Sequence, residues 1–570
     1  MKTNKFHFYS MAAILSLFPF LIGGYYVFIC AAVNIFLIVL FLIGLFRNKS
    51  FRISLSFESA VISLIALMYL ITTLWAVDKT MSPYGFIKLL VPFLFMLNLF
   101  QIESDERKKL LSFLPLFAGI MTAGSYLLSL IKPLKVLFFD SVGNFHGAFQ
   151  YANAFAIYLL IAIIVAVYKP KQNKISIATD IICTVLCIFG IVLSNSRIVG
   201  ALTVFIIILI AIIFICQKIK QKKAKKAFIG IIIAVFTIGA IAFAVSPIGS
   251  EIYGKVMSDK SFVLRSIYYN DAFKFALKHP FGKGTYAFYY VQPKIQSANY
   301  YVIDVHNDYL QMMVEIGIIP CLLFVAVLIK QLVSKKTDLM QKLIIFALGA
   351  HCFFDYDLQF TSLFIVLLLC IDFGNEKEFE SKSKVIPIVI FAAVIIFDSL
   401  LGLSALYNHT GNQEKSNYYH KNTSATLMLM QDNNDQQFGY DCATQLLENN
   451  DYIFEANRVL SNIYYANGRY GEAIEQMELV LEKEPRNINN YEEYIDLCVV
   501  AERDYIKSNN TEKAIECAQK IAGVDDSLKE LKKNTNKRAI LYTKKQKFRV
   551  DKEYRAIIKN HEKALKSSAD

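Results

Sequence analysis

Long apolar runs alternate with short polar segments along the chain from Met11 to Leu406. A run of about 20 apolar residues is the length that an α-helix needs to cross the hydrocarbon core of a bilayer. The first stretch, 11–46, is long enough for two helices that turn near Gly23 and Gly24, and it lacks the cleavage site of a signal peptide. The remaining candidate spans are 57–76, 84–100, 110–131, 149–168, 175–194, 197–216, 227–246, 308–331, 339–354, 360–373 and 385–406. This pattern predicts an all-α polytopic membrane helix bundle with about 12–13 transmembrane helices.

The short polar segments between the spans differ in their content of Lys and Arg. With the N-terminus inside, each predicted inside loop holds at least three basic residues and each short outside loop holds at most two. The inside loops are 47–56, 101–109, 169–174, 217–226, 335–342 and 374–384, and the short outside loops are 77–83, 132–148, 194–197 and 355–359. Because basic residues favour the cytoplasmic side, we expect a multi-pass protein of the cytoplasmic membrane. The long loop 247–307 and the C-terminal region would then lie outside.

The composition excludes several other classes of protein. The chain is 55% apolar and 19% charged, with a mean hydropathy of +0.41, which is unlike a disordered or fibrous chain. The ten cysteines form no CxxC pair and no metal-ligand spacing, so we expect small buried residues rather than a disulfide scaffold. The net charge of +13 falls mostly in loops that orient the chain, so no nucleic-acid partner is expected. No cofactor or metal is expected either.

After Leu406 the sequence becomes polar, with a helical pattern. We predict a transmembrane domain over 1–406 and an extracytoplasmic helical domain over 407–570. Residues 455–485 have the spacing of the ~34-residue tetratricopeptide repeat, and a degenerate second unit extends this likeness over roughly 454–520. A generic helical domain is the alternative, because such arrays need about three units to bury a continuous core. A concave repeat surface could bind a protein partner.

The segment where the long outside loop re-enters the membrane, 304–317, reads DVHNDYLQMMVEIG. On a helix that starts here, His306 and Gly317 share one face, and Asn307 and Asp308 lie in the first turn. A histidine at the water boundary can hold or release a proton near neutral pH. The alternative is that Asn307 or Asp308 only caps the helix and that His306 is an interfacial polar residue.

Two arginines lie on the same predicted side of the membrane. Arg197 follows Ser196 at a junction of two spans, where a buried arginine without a function would be costly. Arg265 begins a predicted amphipathic helix, followed by a turn in which Gly282 and Gly284 permit close approach of the backbone or simply stop the helix. A guanidinium can bind a diphosphate through two parallel hydrogen bonds, and a histidine can accept the proton of an attacking hydroxyl. The combination suits a phosphate-containing lipid substrate.

In this order the motifs resemble the O-antigen ligase and polymerase superfamily, which are membrane glycosyltransferases of the bacterial envelope. The resemblance extends over roughly 10–375. The most specific motif, HN-x-x-L-x-x-x-x-E-x-G, matches His306, Asn307, Leu310, Glu315 and Gly317. The other matches are Ser196 and Arg197 at an outer helix junction, Arg265 and Tyr269 before Pro280, Gly282 and Gly284, Asn153 at the start of a middle helix, and His351 and Asp355 at a later outer helix end. A further glycine that the family often has shortly after Gly317 is absent, which leaves the subfamily open.

The resemblance implies transfer of a glycan from a polyprenyl-diphosphate donor to a hydroxyl on an acceptor sugar, lipid or protein, at the outer face of the membrane. His306 would act as the base or orient the hydroxyl, and Arg197 and Arg265 would bind the diphosphate. The transfer would invert the anomeric carbon without a metal. The other matched residues would support these three, although Glu315, about two turns into its helix, could instead satisfy a buried partner.

Several alternatives stay open at this stage. A polymerase, a ligase and an enzyme that glycosylates protein would share these motifs. A transporter or flippase of lipid-linked sugars is the alternative from another class, and it predicts ionisable residues near the midplane and an internal duplication. A membrane anchor that presents the helical domain is a third possibility, for which the number of spans is excessive.

Overall fold

The computed structural model describes residues 5–567 except 171–172, 222, 229, 233, 235–236, 238–245, 381–382, 384 and 544–546. Helices form nearly all of the regular structure in these residues, which confirms the all-α prediction. The chain divides into two units. The first consists of Met1–Ile71, Tyr84–Met257 and His306–Leu403, and the second of Thr72–Pro83, Ser258–Val305 and Ser404–Asp570.

Most of the first unit is built from helices that the apolar runs predict. Up to the long loop they are α1 (Lys5–Leu17), α2 (Val27–Asn48), α3 (Phe57–Ile71), α4 (Pro83–Leu99), α5 (Ser104–Leu111), α6 (Leu114–Ser129), α7 (Ala152–Tyr168), α8 (Lys174–Ser194), α9 (Arg197–Lys218) and α10 (Pro247–Ser258). The long loop contains α11 (Lys260–Lys278) and α12 (Ala287–Ile295), which belong to the second unit. The first unit resumes with α13 (Asp308–Ile316), α14 (Ile318–Val333), α15 (Leu339–His351), α16 (Thr361–Leu369) and most of α17 (Val385–His409).

Among the described residues, six helical segments are long and apolar enough to cross a membrane. They are α2, α3 with its extension to Trp75, α5 with α6, α8, α9 and α17, and shorter apolar helices are α4, α7, α14 and α15. The predicted turn between the first two helices is confirmed, since Gly23 and Gly24 have φ angles of 60° and 74° there. The predicted span 227–246 lies partly outside the described residues, so the full count of spans stays a prediction.

Helix α7 lies in the core of the first unit. All its side chains from Ala154 to Ala166 are buried, as expected for a helix that is apolar on every face. Gly190 of α8 permits close packing here, because a Cβ atom at this position would lie 2.5 Å from a methyl carbon of Leu159. The rigid position of α7 fixes the residues at its start, which take part in the candidate site.

Three of the predicted inside loops lie together at one end of the first unit. Strand β1 (Ser50–Ser54) pairs antiparallel with strand β2 (Glu376–Glu380), so the loops 47–56 and 374–384 are joined. Arg107 of the loop 101–109 lies 2.7 Å from Glu376, and Arg52 lies 3.1 Å from Glu103. The contacts agree with the charge pattern that assigns these loops to one side of the membrane.

The predicted single span 308–331 is wrong, because two helices replace it. Helix α13 ends at Ile316, and Gly317, with backbone angles of φ 101° and ψ 169°, separates it from α14, which begins at Ile318. Such angles are essentially restricted to glycine. The helical periodicity of the segment continues across Gly317 and therefore gave no sign of the break.

The C-terminal part of the second unit is a series of packed helices. They are α18 (Gln413–Tyr419), α19 (Thr423–Asp432), α20 (Gln436–Asn449), α21 (Phe454–Ala466), α22 (Tyr470–Lys483), α23 (Ile488–Lys507), α24 (Thr511–Ala522), α25 (Val524–Lys533), α26 (Lys537–Thr543) and α27 (Lys552–Ser567). The buried side chains of α22 to α25, among them Val480, Ile495 and Ile521, form one apolar core. Two successive helix-turn-helix pairs, α21–α22 and α23–α24, match the predicted positions, and their assignment as tetratricopeptide repeats stays a prediction.

The second unit also includes two segments that precede the C-terminal region in the chain. Asp78 of the segment Thr72–Pro83 is fully buried and accepts a hydrogen bond of 3.0 Å from Asn450. Within Ser258–Val305, the long-loop segment, Gln296 accepts a hydrogen bond of 2.7 Å from Arg486, which also donates to Thr535 at 2.8 Å. The C-terminal helices therefore pack with chain segments that lie far earlier in the sequence.

Candidate active site

A buried carboxylate, Asp355, is the centre of a polar cluster in the first unit. Its Oδ1 atom lies 3.1 Å from Nδ1 of His306 and accepts a hydrogen bond of 2.7 Å from the Tyr151 hydroxyl. Its Oδ2 atom accepts a hydrogen bond of 2.6 Å from Asn153. The Asp355 side chain is 1% exposed and that of His306 is 24% exposed. The cluster thus presents the imidazole at an accessible position and keeps the carboxylate away from solvent.

The local sequence places His306 just before α13 rather than on it. Asn307 is the N-cap of α13: its side-chain oxygen accepts a hydrogen bond of 3.0 Å from the backbone of Leu310, and its amide donates to the carbonyl of Phe353 at 2.9 Å. His306 has a positive φ of 49°, which turns the chain into the cap. The predicted helical face shared by His306 and Gly317 is therefore wrong, because the cap at Asn307 starts the helix after the histidine.

The hydrogen bond with Asp355 determines what the His306 ring can do. When Nδ1 donates its proton to the carboxylate, Nε2 carries the lone pair and can accept a proton from a hydroxyl. A carboxylate in this position also stabilises the imidazolium that forms after the transfer. The predicted role of His306 as a base thus has the orienting partner that this chemistry requires.

Aromatic rings line the cluster. The His306 ring meets that of Tyr356 edge to face at 4.8 Å, and Tyr151 stacks on Tyr356 at 4.7 Å. Tyr25 packs on Phe360 at 5.1 Å. Such rings fix the side chains of the cluster and offer a surface for the apolar faces of a substrate.

The sequence motifs did not identify two residues of this region, Tyr151 and Lys88, as candidates for the site. Tyr151 stands between matched motif positions, and no spacing rule singled it out. Lys88 of α4 is 5% exposed, donates a hydrogen bond of 2.8 Å to Gln359, and lies 4.6 Å above the ring of Tyr25. Lys88 could have been found, because an ionisable residue within an apolar span is a functional candidate by default.

Glu315 and Gly317 have structural explanations. Glu315 is 1% exposed and accepts hydrogen bonds of 2.8 Å from both Tyr69 and Gln311. Its carboxylate therefore binds buried partners, which is the alternative role that the sequence left open for it. Gly317 makes the break between α13 and α14. Glu315 and Gly317 therefore hold α13 in place, and His306 lies just before the N-terminus of this helix.

His351 does not pair with Asp355, the carboxylate at the centre of the cluster. Its Nδ1 atom lies 2.6 Å from Asp357, and both side chains are fully buried. Asp357 also joins Asp308 and Cys352 in a group whose possible metal-ligand atoms all lie within 4.8 Å of one another. Asp308 accepts a hydrogen bond of 3.0 Å from the backbone of Leu358, so part of this ligand capacity serves the protein itself. The expected absence of a metal stays a prediction.

Ser196 and Arg197 lie at the start of α9, as the motif predicts. Ser196 is the N-cap position and is 7% exposed, and the preceding Asn195 has a positive φ of 53° that reverses the chain between α8 and α9. Arg197 is exposed, so the argument from the cost of burying an arginine does not apply to it. Arg197 is the first residue of the helix. The positive end of the helix dipole and the guanidinium charge therefore both contribute positive potential at this position.

Arg265 and Tyr269 lie on α11 of the second unit, and both are partly exposed. The helix begins at Lys260, earlier than predicted, because Asp259 caps it by accepting a hydrogen bond of 3.1 Å from Phe262. The first unit and the second unit each carry one of the two predicted diphosphate-binding arginines.

The glycines after α11 allow close packing within the second unit. Gly282 and Gly284 have φ angles of 76° and 81°. The Trp75 indole donates a hydrogen bond of 3.1 Å to the Gly282 carbonyl. A Cβ atom at Gly284 would lie 2.5 Å from the Ser82 hydroxyl. Packing against Thr72–Pro83 therefore explains Gly284, and the positive φ favours glycine at both positions.

Residues 182–325 match the family model described as O-antigen ligase. This match supports the superfamily that the sequence motifs resemble and a membrane glycosyltransferase-like role in polysaccharide assembly. The matched part includes Arg197, Arg265 and His306, whereas Asn153 and Asp355 lie outside it. A search of curated proteins finds no match to the chain.

Proposed function

We propose that this protein transfers a glycan from a polyprenyl-diphosphate donor to an acceptor hydroxyl, on the outer face of the cytoplasmic membrane, during assembly of a cell-surface polysaccharide. The observation that carries the proposal is the pair of His306 and Asp355, 3.1 Å apart, in a chain whose residues 182–325 match the O-antigen ligase family. The pair supplies an oriented base at an accessible position, which a transfer to a hydroxyl requires.

The proposed step is a single displacement. Nε2 of His306 accepts the proton of the acceptor hydroxyl while the hydroxyl oxygen attacks the anomeric carbon of the donor. The bond between this carbon and the diphosphate oxygen breaks, and polyprenyl diphosphate leaves with the bonding electrons. Attack opposite the leaving group inverts the anomeric carbon. Asp355 stabilises the positive charge that His306 gains.

Arg197 and Arg265 are proposed to bind the diphosphate and to stabilise the charge that develops on it. The exposure of Arg197 and its position at the start of a 22-residue helix support this role, because helix N-termini favour anions. A guanidinium suits the site better than an ammonium, since it can donate two parallel hydrogen bonds to phosphate oxygens. No step requires a metal.

The orientation proposed for the chain places its N-terminus inside and the C-terminal helices outside. The contacts among the loops 47–56, 101–109 and 374–384 support a common side of the membrane for these three loops, and the charge pattern assigns that side to the inside. The donor, the acceptor and membrane lipid are the proposed ligands, and the C-terminal helices are a proposed surface for a protein partner.

Purified protein in detergent would test the proposal, with a radiolabelled polyprenyl-diphosphate glycan from the host, in EDTA. His306→Ala and Arg197→Lys should each lose transfer, and the controls His409→Ala and Arg47→Lys, at exposed positions, should keep it. A ladder of products would identify a polymerase, and one shift onto an added acceptor would identify a ligase. Equal activity of His306→Ala and wild type would refute the proposal. No product from wild type with verified donor and acceptors would favour the transporter or flippase alternative.

A further inference from the structure

The C-terminal helices form a half-open cavity of about 340 Å³ within the second unit. Its walls come from α20, α21, α22 and the turn between α20 and α21, and Lys294 of α12 forms part of the lining. The volume is in the range of small-molecule sites, about 300–1,000 Å³. Neither the motifs of the family resemblance nor the proposed transfer involves this cavity.

Three polar side chains form an ordered chain of hydrogen bonds along the cavity. Lys483 donates a hydrogen bond of 2.8 Å to the Asn457 side-chain oxygen, and the Asn457 amide donates to Gln476 at 2.7 Å. Asn457 is 1% exposed, so its hydrogen bonds hold it in one orientation. The cavity therefore has a preorganised polar wall.

The ammonium group of Lys483 has donor capacity left for a ligand. Its side chain is 10% exposed, and the nearest carboxylate, Asp451, lies 3.8 Å away, beyond hydrogen-bond distance. An ammonium carries three donors, and a buried charge is costly unless acceptors surround it. Burial lowers the pKa of Lys483 from its ordinary value, as expected for an ammonium removed from water. A ligand with oxygen acceptors would relieve this cost.

The charges around the cavity favour a neutral ligand over an anionic one. Lys294 lies 2.6 Å from Glu482, and Asp451 is the carboxylate nearest to Lys483. Two lysines and two acidic residues thus cancel among the lining residues. The remaining wall is apolar or aromatic and consists of Leu447, Tyr452, Leu460 and Leu479.

We propose that this cavity binds a neutral sugar residue of a glycan. Sugar hydroxyls both donate and accept hydrogen bonds, so they can bind Lys483, Gln476 and the carboxylates at once, while the carbon–hydrogen faces of the ring pack on the leucines and Tyr452. The identification of the glycan as acceptor or product rests on the proposed transfer. The cavity would retain the polysaccharide chain between successive transfers.

The test measures binding by the full-length protein in nanodiscs. The probe is a sized pool of oligosaccharides released by partial hydrolysis of the surface polysaccharide of the host. Lys483→Met keeps most of the side-chain volume, and Gln476→Ala changes the same wall at another position. Each should raise the Kd about tenfold, the factor expected when a hydrogen bond to a buried polar wall is lost. Lys529→Met, at an exposed lysine of α25, is the control and should bind as wild type does.

Transfer activity and thermal melting are measured on the same preparations. Unchanged binding by Lys483→Met and Gln476→Ala, with unchanged melting, would overturn the proposal. So would an active wild type that binds no oligosaccharide but binds a peptide pool in a Lys483-dependent manner, since the cavity would then be a peptide site. Lys483-dependent oligosaccharide binding by a protein without transfer activity would support the cavity and count against the proposed function.

Discussion

Replacing Asp355 by asparagine tests the centre of the candidate site with a minimal change. The two side chains have nearly the same shape, so the buried position stays filled, but the charge is lost and one oxygen becomes an NH₂ group. In the native chain Oδ1 of Asp355 is hydrogen-bonded to His306 and Tyr151, and its Oδ2 accepts a hydrogen bond from Asn153. In either orientation of the new amide, at least one of these donors faces another donor.

The size of the effect follows from these contacts. A hydrogen bond to a charged group contributes about 1.5–3 kcal/mol, and about 1.4 kcal/mol in an activation barrier is a factor of ten in rate. If Asp355→Asn removes one such bond together with the stabilisation of the His306 imidazolium, kcat should fall by about 10²-fold. The KM of the donor should change little, because Asp355 is 1% exposed and does not reach the substrate itself.

The assay is steady-state transfer from radiolabelled donor at varied donor concentration by purified protein, with Asp355→Asn, His306→Ala and the double variant compared with wild type. Asp105→Asn, at an exposed acidic residue of α5, controls for the substitution itself. Because Asp355 is proposed to act through His306, its removal should have little further effect once His306 is alanine.

Two results would refute this reasoning. One is a folded Asp355→Asn variant whose kcat stays within about threefold of wild type, well below the loss expected for a charge-assisted hydrogen bond. The other is a double variant whose loss is the product of the two single losses, which would mean that Asp355 acts independently of His306.

Three further predictions concern the supports of the site. Gly317→Ala should destabilise the protein by about 1–3 kcal/mol, because alanine is strained at this φ, and its melting temperature should fall relative to Gly124→Ala, where a Cβ meets nothing within 4 Å. Tyr69→Phe should lower stability by about 1–3 kcal/mol, since Glu315 loses a buried donor, yet the folded fraction should keep its kcat. Arg486→Ala, which unties the long-loop segment from the C-terminal helices, should raise the KM of the donor more than it lowers kcat, with partial rescue by Arg486→Lys.

Each of these predictions has an outcome that contradicts it. Equal melting of Gly317→Ala and Gly124→Ala would show that the break between α13 and α14 tolerates a side chain. A loss of kcat in Tyr69→Phe would give Glu315 a role in the transfer. An unchanged KM in Arg486→Ala would separate the long-loop segment from donor binding.

The candidate site shows how far local sequence can predict contacts. His306 stood out because a polar cluster at the edge of an apolar run is locally visible. Its pairing with Asp355 was not predicted, although both residues matched motifs, because the two positions are separated by 49 residues. Tyr151 is 204 residues from Asp355, and no local pattern reports such a contact. The sequence predicted close backbone approach or a helix stop at Gly282 and Gly284, but it did not show that their neighbours come from Thr72–Pro83.

The sequence by itself determined the helical class, the membrane location, most helix positions and the region of the candidate catalytic histidine. These properties depend on hydrophobicity, charge and backbone hydrogen bonds within single segments, since a helix in a bilayer must satisfy its own backbone. Only the tertiary structure decided the break at Gly317, the partner of His306 and the packing of the long-loop segment with the C-terminal helices. Those features depend on side chains that meet across long stretches of chain, where packing and hydrogen bonding select one arrangement among many that the local pattern allows.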